Sequence, residues 1–150
     1  MDIHIFDQQF DLKISHSSVE DIVQEVLSLE EQSCDEVSIH FVDTPTICKL
    51  HKQYFNDSST TDCISFPIDS PEEGGYCLLG EVFVCPKTAI EYAKKHNTDP
   101  HQETTLYLVH GILHLLGYDD QYEAEPEMRA AEERQMKNLS KRNLVLGTNI

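Results

Sequence analysis

The sequence predicts an α+β fold: a single compact domain in which a small mixed β-sheet packs against about five helices. Two observations predict it. Strand-like and helix-like segments alternate over the first half of the chain, and the second half has a helical pattern. The length of 150 residues suits one domain, and no segment between the elements is long enough to act as a linker. We expect that domain to span residues 1–150, with a loosely ordered tail over about 143–150.

The predicted sheet is formed by four short segments. The first two alternate apolar and polar side chains, as half-buried strands do, although the first is brief. An amphipathic helical segment separates these two strands, so this βαβ unit should be parallel and right-handed. The predicted strands are residues 3–6, 37–42, 63–66 and 78–84.

The predicted helices are located by their capping signals and apolar stripes. The first has its apolar stripe over 19–27, and Ser17 or Ser18 is its expected N-cap. This start places Glu20 and Asp21 in the first turn, where the helix dipole favours acids. The other predicted helices are 45–55, 87–96, 102–116, which is the most apolar, and about 122–142.

Charge and cysteine content exclude several classes of protein. The chain has 27 Asp and Glu residues against 11 Lys and Arg, and its formal charge of −16 repels nucleic acid except where cations cluster. Its five cysteines form no CxxC pair, which favours reduced thiols over a disulfide framework. The sequence shows no secretory signal and no stretch of about 20 apolar residues. We therefore predict a cytoplasmic protein with no membrane partner.

The segment from His110 to Asp120 carries the strongest chemical signal. His110 and His114 are four residues apart, so on a helix both imidazoles leave the same face. Gly117 can adopt the left-handed conformation that ends a helix, after which the chain can return towards the histidines. Three such ligands and one open position are typical of catalytic zinc. We predict that His110, His114 and Asp120 hold one zinc ion per chain. Spacing barely separates Asp120 from Asp119 as the third ligand.

This spacing resembles that of the metzincin proteases, in which a Glu follows the first histidine as the general base. In this sequence Gly111 occupies that position. Without a carboxylate there, peptide hydrolysis loses the group that takes a proton from the zinc-bound water. A metzincin-like zinc protease is therefore the weakest of the functional hypotheses.

The same segment resembles the YbeY family much more closely. Residues 110–119, HGILHLLGYD, nearly match the family motif H-G-x-L-H-L-x-G-Y-D-H. Residues 61–66 are similar to the family's P-T-D-V-L-S-F, and residues 79–82 are similar to its L-G-D-I. Met128 and Glu132 stand where the family has M-x-x-x-E on its last helix. Several independent motifs therefore point to one family.

The resemblance implies a single-strand-specific, metal-dependent endoribonuclease that acts in 3′-end maturation of small-subunit (16S) rRNA and in ribosome quality control. It implies as partners rRNA, the small ribosomal subunit or one of its proteins, and a ribosome-associated GTPase. Two departures bear on activity. The third ligand, His in most members, is Asp120 here, and an oxygen donor makes Mn²⁺ or Fe²⁺ more competitive with Zn²⁺. The family's catalytic Arg is replaced by Phe55.

Other residues carry both a functional and a structural interpretation. Asp62 and Ser65 face the metal cleft by analogy with the family, or belong to an ordinary strand. Lys49 and Lys52 are solvated charges or substitutes for the missing Arg. Cys63 either lines the cleft or is a small buried side chain, and the second is the expectation. The histidines without ligand spacing are expected at the surface or on strands: His4, His16, His40, His51, His96 and His101.

The last predicted helix concentrates positive charge. The structural interpretation is a helix whose charges face solvent, and the functional interpretation is a contact with RNA or the ribosome. A second functional class also stays open: a ribosome-assembly factor with a mainly structural metal site, which acts by binding a ribosomal protein or GTPase. The sequence assigns no general base. The five clustered cations are Arg129, Arg134, Lys137, Lys141 and Arg142.

Overall fold

The computed structural model describes residues 1–119 and 124–147. Within these ranges the chain forms four β-strands and five α-helices in the order β1-α1-β2-α2-β3-β4-α3-α4-α5. The α+β class and the order of elements are as predicted. The strands are β1 (Asp2–Gln8), β2 (Glu36–Val42), β3 (Cys63–Pro67) and β4 (Leu78–Val84). The helices are α1 (His16–Leu29), α2 (Thr44–Phe55), α3 (Pro86–His96), α4 (Pro100–Leu115) and α5 (Glu125–Lys141), and Pro71–Glu73 forms a 3₁₀ turn.

The four strands form one mixed sheet in the order β1-β2-β4-β3. Strand β2 pairs in parallel with both β1 and β4, and β3 pairs antiparallel with β4. The predicted parallel pairing of the first βαβ unit is confirmed. The register between β2 and β4 shifts between Glu36 and Ser38.

The main core lies between one face of the sheet and helices α1 and α4. Val23 of α1, Ile39 of β2, Val82 of β4 and Ile112 of α4 are all fully buried in it. Complete burial of such a side chain contributes roughly 1.5–3 kcal/mol. On the opposite face, α2 packs Ile47 into a small second cluster near β3.

Helix α1 begins earlier than predicted. Its N-cap is Ser15, whose side chain accepts a hydrogen bond from the Ser18 backbone N–H at 3.3 Å. Ser17 and Ser18 already lie inside the helix, and Ser18 is buried. Glu20 and Asp21 therefore lie beyond the first turn, and the dipole argument made for them is wrong.

The chain after α5 is more tightly packed than predicted. Leu146 is fully buried, its N–H donates to Thr105 Oγ1 at 3.1 Å, and its carbonyl accepts from the Ser15 N–H at 2.9 Å. Two hydrogen bonds and a buried side chain thus tie this segment to the start of α1 and to α4. The expected loose tail is wrong for its described part, and residues 148–150 lie outside the described residues.

The structure shows the state of the cysteines and the character of the helices. All five cysteines are free, as predicted. Among the described residues no helix has both the length and the apolar character needed to cross a bilayer.

Strand β4 approaches β3 and α4 closely because position 80 is glycine. Gly80 has φ +151°, a conformation that side chains rarely adopt. A Cβ there would lie 2.4 Å from the Phe66 carbonyl oxygen and 2.8 Å from Leu115 Cδ2. The first contact is with backbone, so a strand would have to move to relieve it.

We expect Gly80→Ala to lower the free energy of unfolding by roughly 2–4 kcal/mol, because overpacking and backbone strain act together. Gly75→Ala is the matched control, since Gly75 also has positive φ (+72°) but no atom within 4 Å of the point where a Cβ would lie. That control should cost about 1 kcal/mol. Urea unfolding measures the free energy of unfolding of each variant, and an unchanged m-value shows that the two unfolding transitions can be compared. Equal losses in the two variants would contradict the packing argument.

Candidate metal centre

Helix α4 holds the two motif histidines in fixed positions beside the sheet. It begins after Asp99, whose side chain accepts a hydrogen bond from the Gln102 N–H at 3.3 Å. Leu108 and Ile112 lie fully buried in the main core. Because this buried face fixes the rotation of the helix, His110 and His114 are presented together on a half-buried face.

The two imidazoles converge on one point. Nε2 of His110 lies 2.9 Å from Nε2 of His114, and the rings are nearly perpendicular, at 83°. The expectation that both side chains leave the same face of a helix is confirmed. Their convergence brings together two of the three predicted metal ligands.

The other nitrogen of each ring faces an oxygen acceptor. Nδ1 of His114 lies 2.9 Å from the Tyr118 carbonyl oxygen, and Nδ1 of His110 lies 3.4 Å from Glu132 Oε2. The Tyr118 carbonyl assigns a proton to Nδ1 of His114, and the Glu132 carboxylate favours one on Nδ1 of His110. A neutral ring of this tautomer has its lone pair on Nε2. Two facing lone pairs repel unless a positive ion or a shared proton lies between them.

The donor set therefore fits a divalent ion. Two nitrogens bound at 2.0–2.1 Å to a tetrahedral zinc lie about 3.3 Å apart, close to the 2.9 Å observed between the two Nε2 atoms. A small change in side-chain torsion of His110 or His114 would open the pair by that difference.

The loop after α4 returns the chain towards the histidines as predicted. Gly117 has φ +102°, its N–H donates to the His114 carbonyl, and the Tyr118 N–H donates to the Leu113 carbonyl. This pair of bonds is a Schellman motif, which needs a left-handed residue and therefore favours glycine. The turn sets Tyr118 and Asp119 beside His114.

The third ligand stays a prediction. Asp119 lines the same cavity as His110 and His114, and Asp120 lies outside the described residues. Within 1–119 and 124–147, no three His, Cys, Asp or Glu side chains group as a metal site. The choice between Asp119 and Asp120 therefore needs an experiment.

A cavity of about 410 Å³ opens beside the histidines. Asp62, Cys63 and Ser65 of the β3 region line it, as the family resemblance implied for Asp62 and Ser65. Cys63 is partly buried: it lines the cavity and also packs against the main core. Ser65 also donates a hydrogen bond to the Gly111 carbonyl at 3.0 Å, which joins β3 to α4.

Two cavity residues lie on α2: Phe55, which stands in the place of the family's Arg, and His51, for which the sequence predicted no role in the site. His51 and Phe55 line the cavity, whereas the lysines considered as substitutes for the missing Arg are not among its lining residues in the described chain. Lys52 Nζ donates to Asn56 Oδ1 at 3.0 Å. The signal for His51 was its place one helical turn before Phe55, which puts both on one face of α2.

A buried carboxylate supports the loop that carries Tyr118. Glu30, at the end of α1, accepts hydrogen bonds from Tyr118 Oη at 2.6 Å, from Gln135 Nε2 at 2.7 Å and from Arg134. Burial raises the pKa of the Glu30 carboxyl, but the hydrogen bonds from Arg134, Tyr118 and Gln135 outweigh it, and the net pKa lies below the usual value. The carboxylate thereby stays charged and ties α1, α5 and the loop after α4 together.

Several of the clustered cations on α5 and at its C-terminal end form ion pairs. Arg134 binds Glu30 at 3.0 Å. Arg142 binds Glu25 at 2.9 Å, and Arg129 pairs with a glutamate one turn earlier on the same helix. Carboxylates therefore already neutralise three of the five clustered cations, which weakens the cluster as an RNA contact.

Comparison with known proteins identifies the family. The family model described as Endoribonuclease YbeY matches residues 4–140. A Protochlamydia amoebophila protein named Endoribonuclease YbeY is 57% identical over 145 residues, which cover 96% of this chain and 97% of that protein. A Chlamydia trachomatis serovar L2 protein of the same name is 36% identical over 140 residues, covering 92% and 86%.

A solved structure shows the same fold. The solution structure of a Thermotoga maritima protein matches with a TM-score of 0.64 and 25% identity, over 93% of this chain and 90% of that one. The motifs around His110 and His114, the α+β architecture and these matches agree. The chain belongs to the YbeY endoribonuclease family.

Proposed function

We propose that this protein is a single-strand-specific, metal-dependent endoribonuclease that acts in 3′-end maturation of 16S rRNA and in ribosome quality control. One observation carries the proposal: the Nε2 atoms of His110 and His114 converge, 2.9 Å apart, on the wall of an open cavity. Family membership supplies the reaction class, since the relatives are named as endoribonucleases. We place the activity in the cytoplasm, where rRNA precursors and free thiols are both found.

The proposed cofactor is one Zn²⁺ per chain, held by His110, His114 and Asp120. Two imidazole nitrogens and one carboxylate are a ligand set that suits zinc, and the carboxylate leaves Mn²⁺ and Fe²⁺ as alternatives. When bound, such an ion supplies Lewis-acid chemistry at the phosphodiester.

The chain's own residues bind and orient the RNA. The ring of Phe55 lines the cavity and is 56% exposed, so it offers a surface on which an unpaired base can stack. A cavity of about 410 Å³ suits one flexible nucleotide unit rather than a base-paired strand. The carboxylates of Asp62 and Asp119 line the same cavity and are the candidate proton acceptors.

Peptide hydrolysis is disfavoured by packing as well as by chemistry. A Cβ at Gly111 would lie 2.4 Å from Val82 Cγ1 and 3.2 Å from Ser65 Oγ. The position of the protease general base therefore has no room for any side chain. A zinc protease would need a general base at this position, and the packing against Val82 excludes one.

We expect the purified protein to cleave a single-stranded fragment from the 3′ end of 16S rRNA in the presence of a divalent ion, and to leave casein intact. Asp120→Ala should lose most of the cleavage while it keeps the wild-type melting temperature of the metal-free protein. Gel analysis of end-labelled RNA measures the reaction, and an EDTA-treated sample is the blank. Intact RNA with both proteins would overturn the enzymatic proposal.

Elemental analysis should find about one divalent ion per wild-type chain. Asp120→Ala should lose most of it, because a ligand is removed, whereas Asp119→Ala should keep it. The two variants are matched controls for each other, since each removes one carboxylate from the same loop. Loss of metal in Asp119→Ala alone would show that Asp119 is the third ligand.

A second candidate function, a ribosome-assembly factor, is favoured by the open face of the sheet. A row of aromatic rings crosses all four strands there and ends on α2. Phe6 stacks on His40 with centroids 4.7 Å apart, and His40 stacks on Phe83 at 4.2 Å. The row continues through Phe66 to Tyr54. Phe6 is 44% exposed, so this aromatic row is accessible at its β1 end.

The charges around the aromatic row favour a basic partner. Glu36 and Glu81 lie on the same face, where they bind His4 at 2.8 Å and His40 at 2.9 Å. The whole chain carries a formal charge of −16. We therefore propose that a basic ribosomal protein of the small subunit docks on this face, with a ribosome-associated GTPase as a further partner. Such complementarity speeds association and selects partners.

Phe6→Ser should weaken binding to a small-subunit ribosomal protein about tenfold or more, because an exposed aromatic anchor is lost. Phe10→Ser is the matched control: Phe10 is fully exposed and lies outside the aromatic row. Calorimetric titration with each purified small-subunit protein measures the affinity. If both variants bind as the wild type does, the aromatic row is not the docking surface.

A further inference from the structure

The carboxylate of Glu132 faces the rear edge of His110. Its Oε2 lies 3.4 Å from Nδ1, and only 20% of the Glu132 side chain and 22% of the His110 side chain are exposed. This contact is on the opposite side of the ring from Nε2, the nitrogen that meets His114. Glu132 therefore contacts His110 without being one of the predicted metal ligands.

The packing of α5 places Glu132 there. Met128, Gln135 and Leu139 form the buried stripe of this helix. Position 132 is four residues after Met128 and three before Gln135, so it lies on that same inward face. A carboxylate on an inward face is costly unless it has a partner of opposite charge or a donor. Nδ1 of His110 is the polar group that faces this carboxylate, at 3.4 Å.

The surroundings of His110 keep this contact in place. A second cavity, of about 380 Å³, lies behind the ring, and Asp62, Glu103 and Glu125 line it together with Glu132. Arg129, one turn before Glu132, also lines this cavity and forms its ion pair with Glu125, so among the described residues four carboxylates face one cation there. The negative potential of this wall favours a proton on the Nδ1 side of His110 and a lone pair on Nε2.

The two histidines differ in the group that faces their Nδ1 atoms. His114 donates from Nδ1 to the neutral carbonyl of Tyr118, whereas His110 faces a charged carboxylate. A carboxylate makes the imidazole a better electron donor at its other nitrogen than a carbonyl does. The two ligands are thus unequal, and the stronger one depends on a residue of another helix.

We propose that Glu132 is the positioning residue of the metal centre: its carboxylate fixes the tautomer and orientation of His110, so that Nε2 faces the ion. The inference rests on the proposed metal site and adds a residue from α5 to it. It also gives a physical role to the Glu that follows Met128 by four residues.

The test compares Glu132→Gln and Glu132→Ala with Glu133→Gln, a control that removes an exposed carboxylate from the next position. Co²⁺ is the probe, at one fixed pH. Competition with a chromogenic chelator gives its affinity, and the visible absorption spectrum reports its ligand geometry. Thermal unfolding of the metal-free proteins shows whether the substitutions disturb the fold.

We expect Glu132→Ala to weaken Co²⁺ binding about 10–100-fold and to change the visible spectrum, as losses of such supporting carboxylates do. Glu132→Gln should lose less, because its amide oxygen can still accept from Nδ1. Glu133→Gln should match the wild type, and the metal-free melting temperatures should agree.

Two results would contradict the proposal in different ways. If the wild type binds Co²⁺ and both Glu132 variants have the same affinity and spectrum as the wild type, the role of Glu132 is overturned. The proposed metal site is then unaffected. A wild-type protein that binds no Co²⁺ overturns the metal site itself and the positioning role with it. If Glu132→Ala unfolds, Glu132→Gln, which has nearly the same shape, still decides between these results.

Discussion

The direct contact of α4 with β4 determines where the candidate metal centre lies. The helix backbone at Gly111 comes so close to Val82 that no side chain fits between them, and Ser65 binds the Gly111 carbonyl. His110 immediately precedes this contact and His114 follows three residues later, so the contact sets where both side chains leave the helix. The same constraint that positions the two histidines also removes the general base of a protease. One close packing contact therefore limits the chemistry of the site as well as its position.

The support of the two histidines comes from distant parts of the chain. Glu30 at the end of α1 binds Tyr118, whose carbonyl accepts from His114, and Glu132 of α5 faces His110. Each support uses a carboxylate that is mostly buried. Because a buried carboxylate without a partner is unfavourable, these residues stabilise the folded chain only in the arrangement that also orients the ligands. Stability and preorganisation of the site thus depend on the same contacts.

The distribution of charge separates two surfaces that suit different proposed partners. The cavity beside the histidines combines carboxylates with the ring of Phe55, which suits an unpaired base and a divalent ion. The open sheet face combines aromatic rings with Glu36 and Glu81, which suits a basic protein. The arginines of α5, which looked like an RNA contact in the sequence, mostly form ion pairs, as Arg134 does with Glu30. An acidic chain can therefore act on RNA without a broad basic surface.

The sequence by itself determined the elements, the family and the pair of histidines. Local signals carry this information: apolar periodicity, the i,i+4 spacing of His110 and His114, and a glycine at the left-handed position of the turn. Only the tertiary structure decided that Glu132 faces His110 and that His51 lines the cavity. These contacts join residues of different helices, and side-chain spacing along one helix says nothing about which residues a second helix brings to it. The physical reason is that spacing is a local property, whereas a cavity wall is formed by packing between elements.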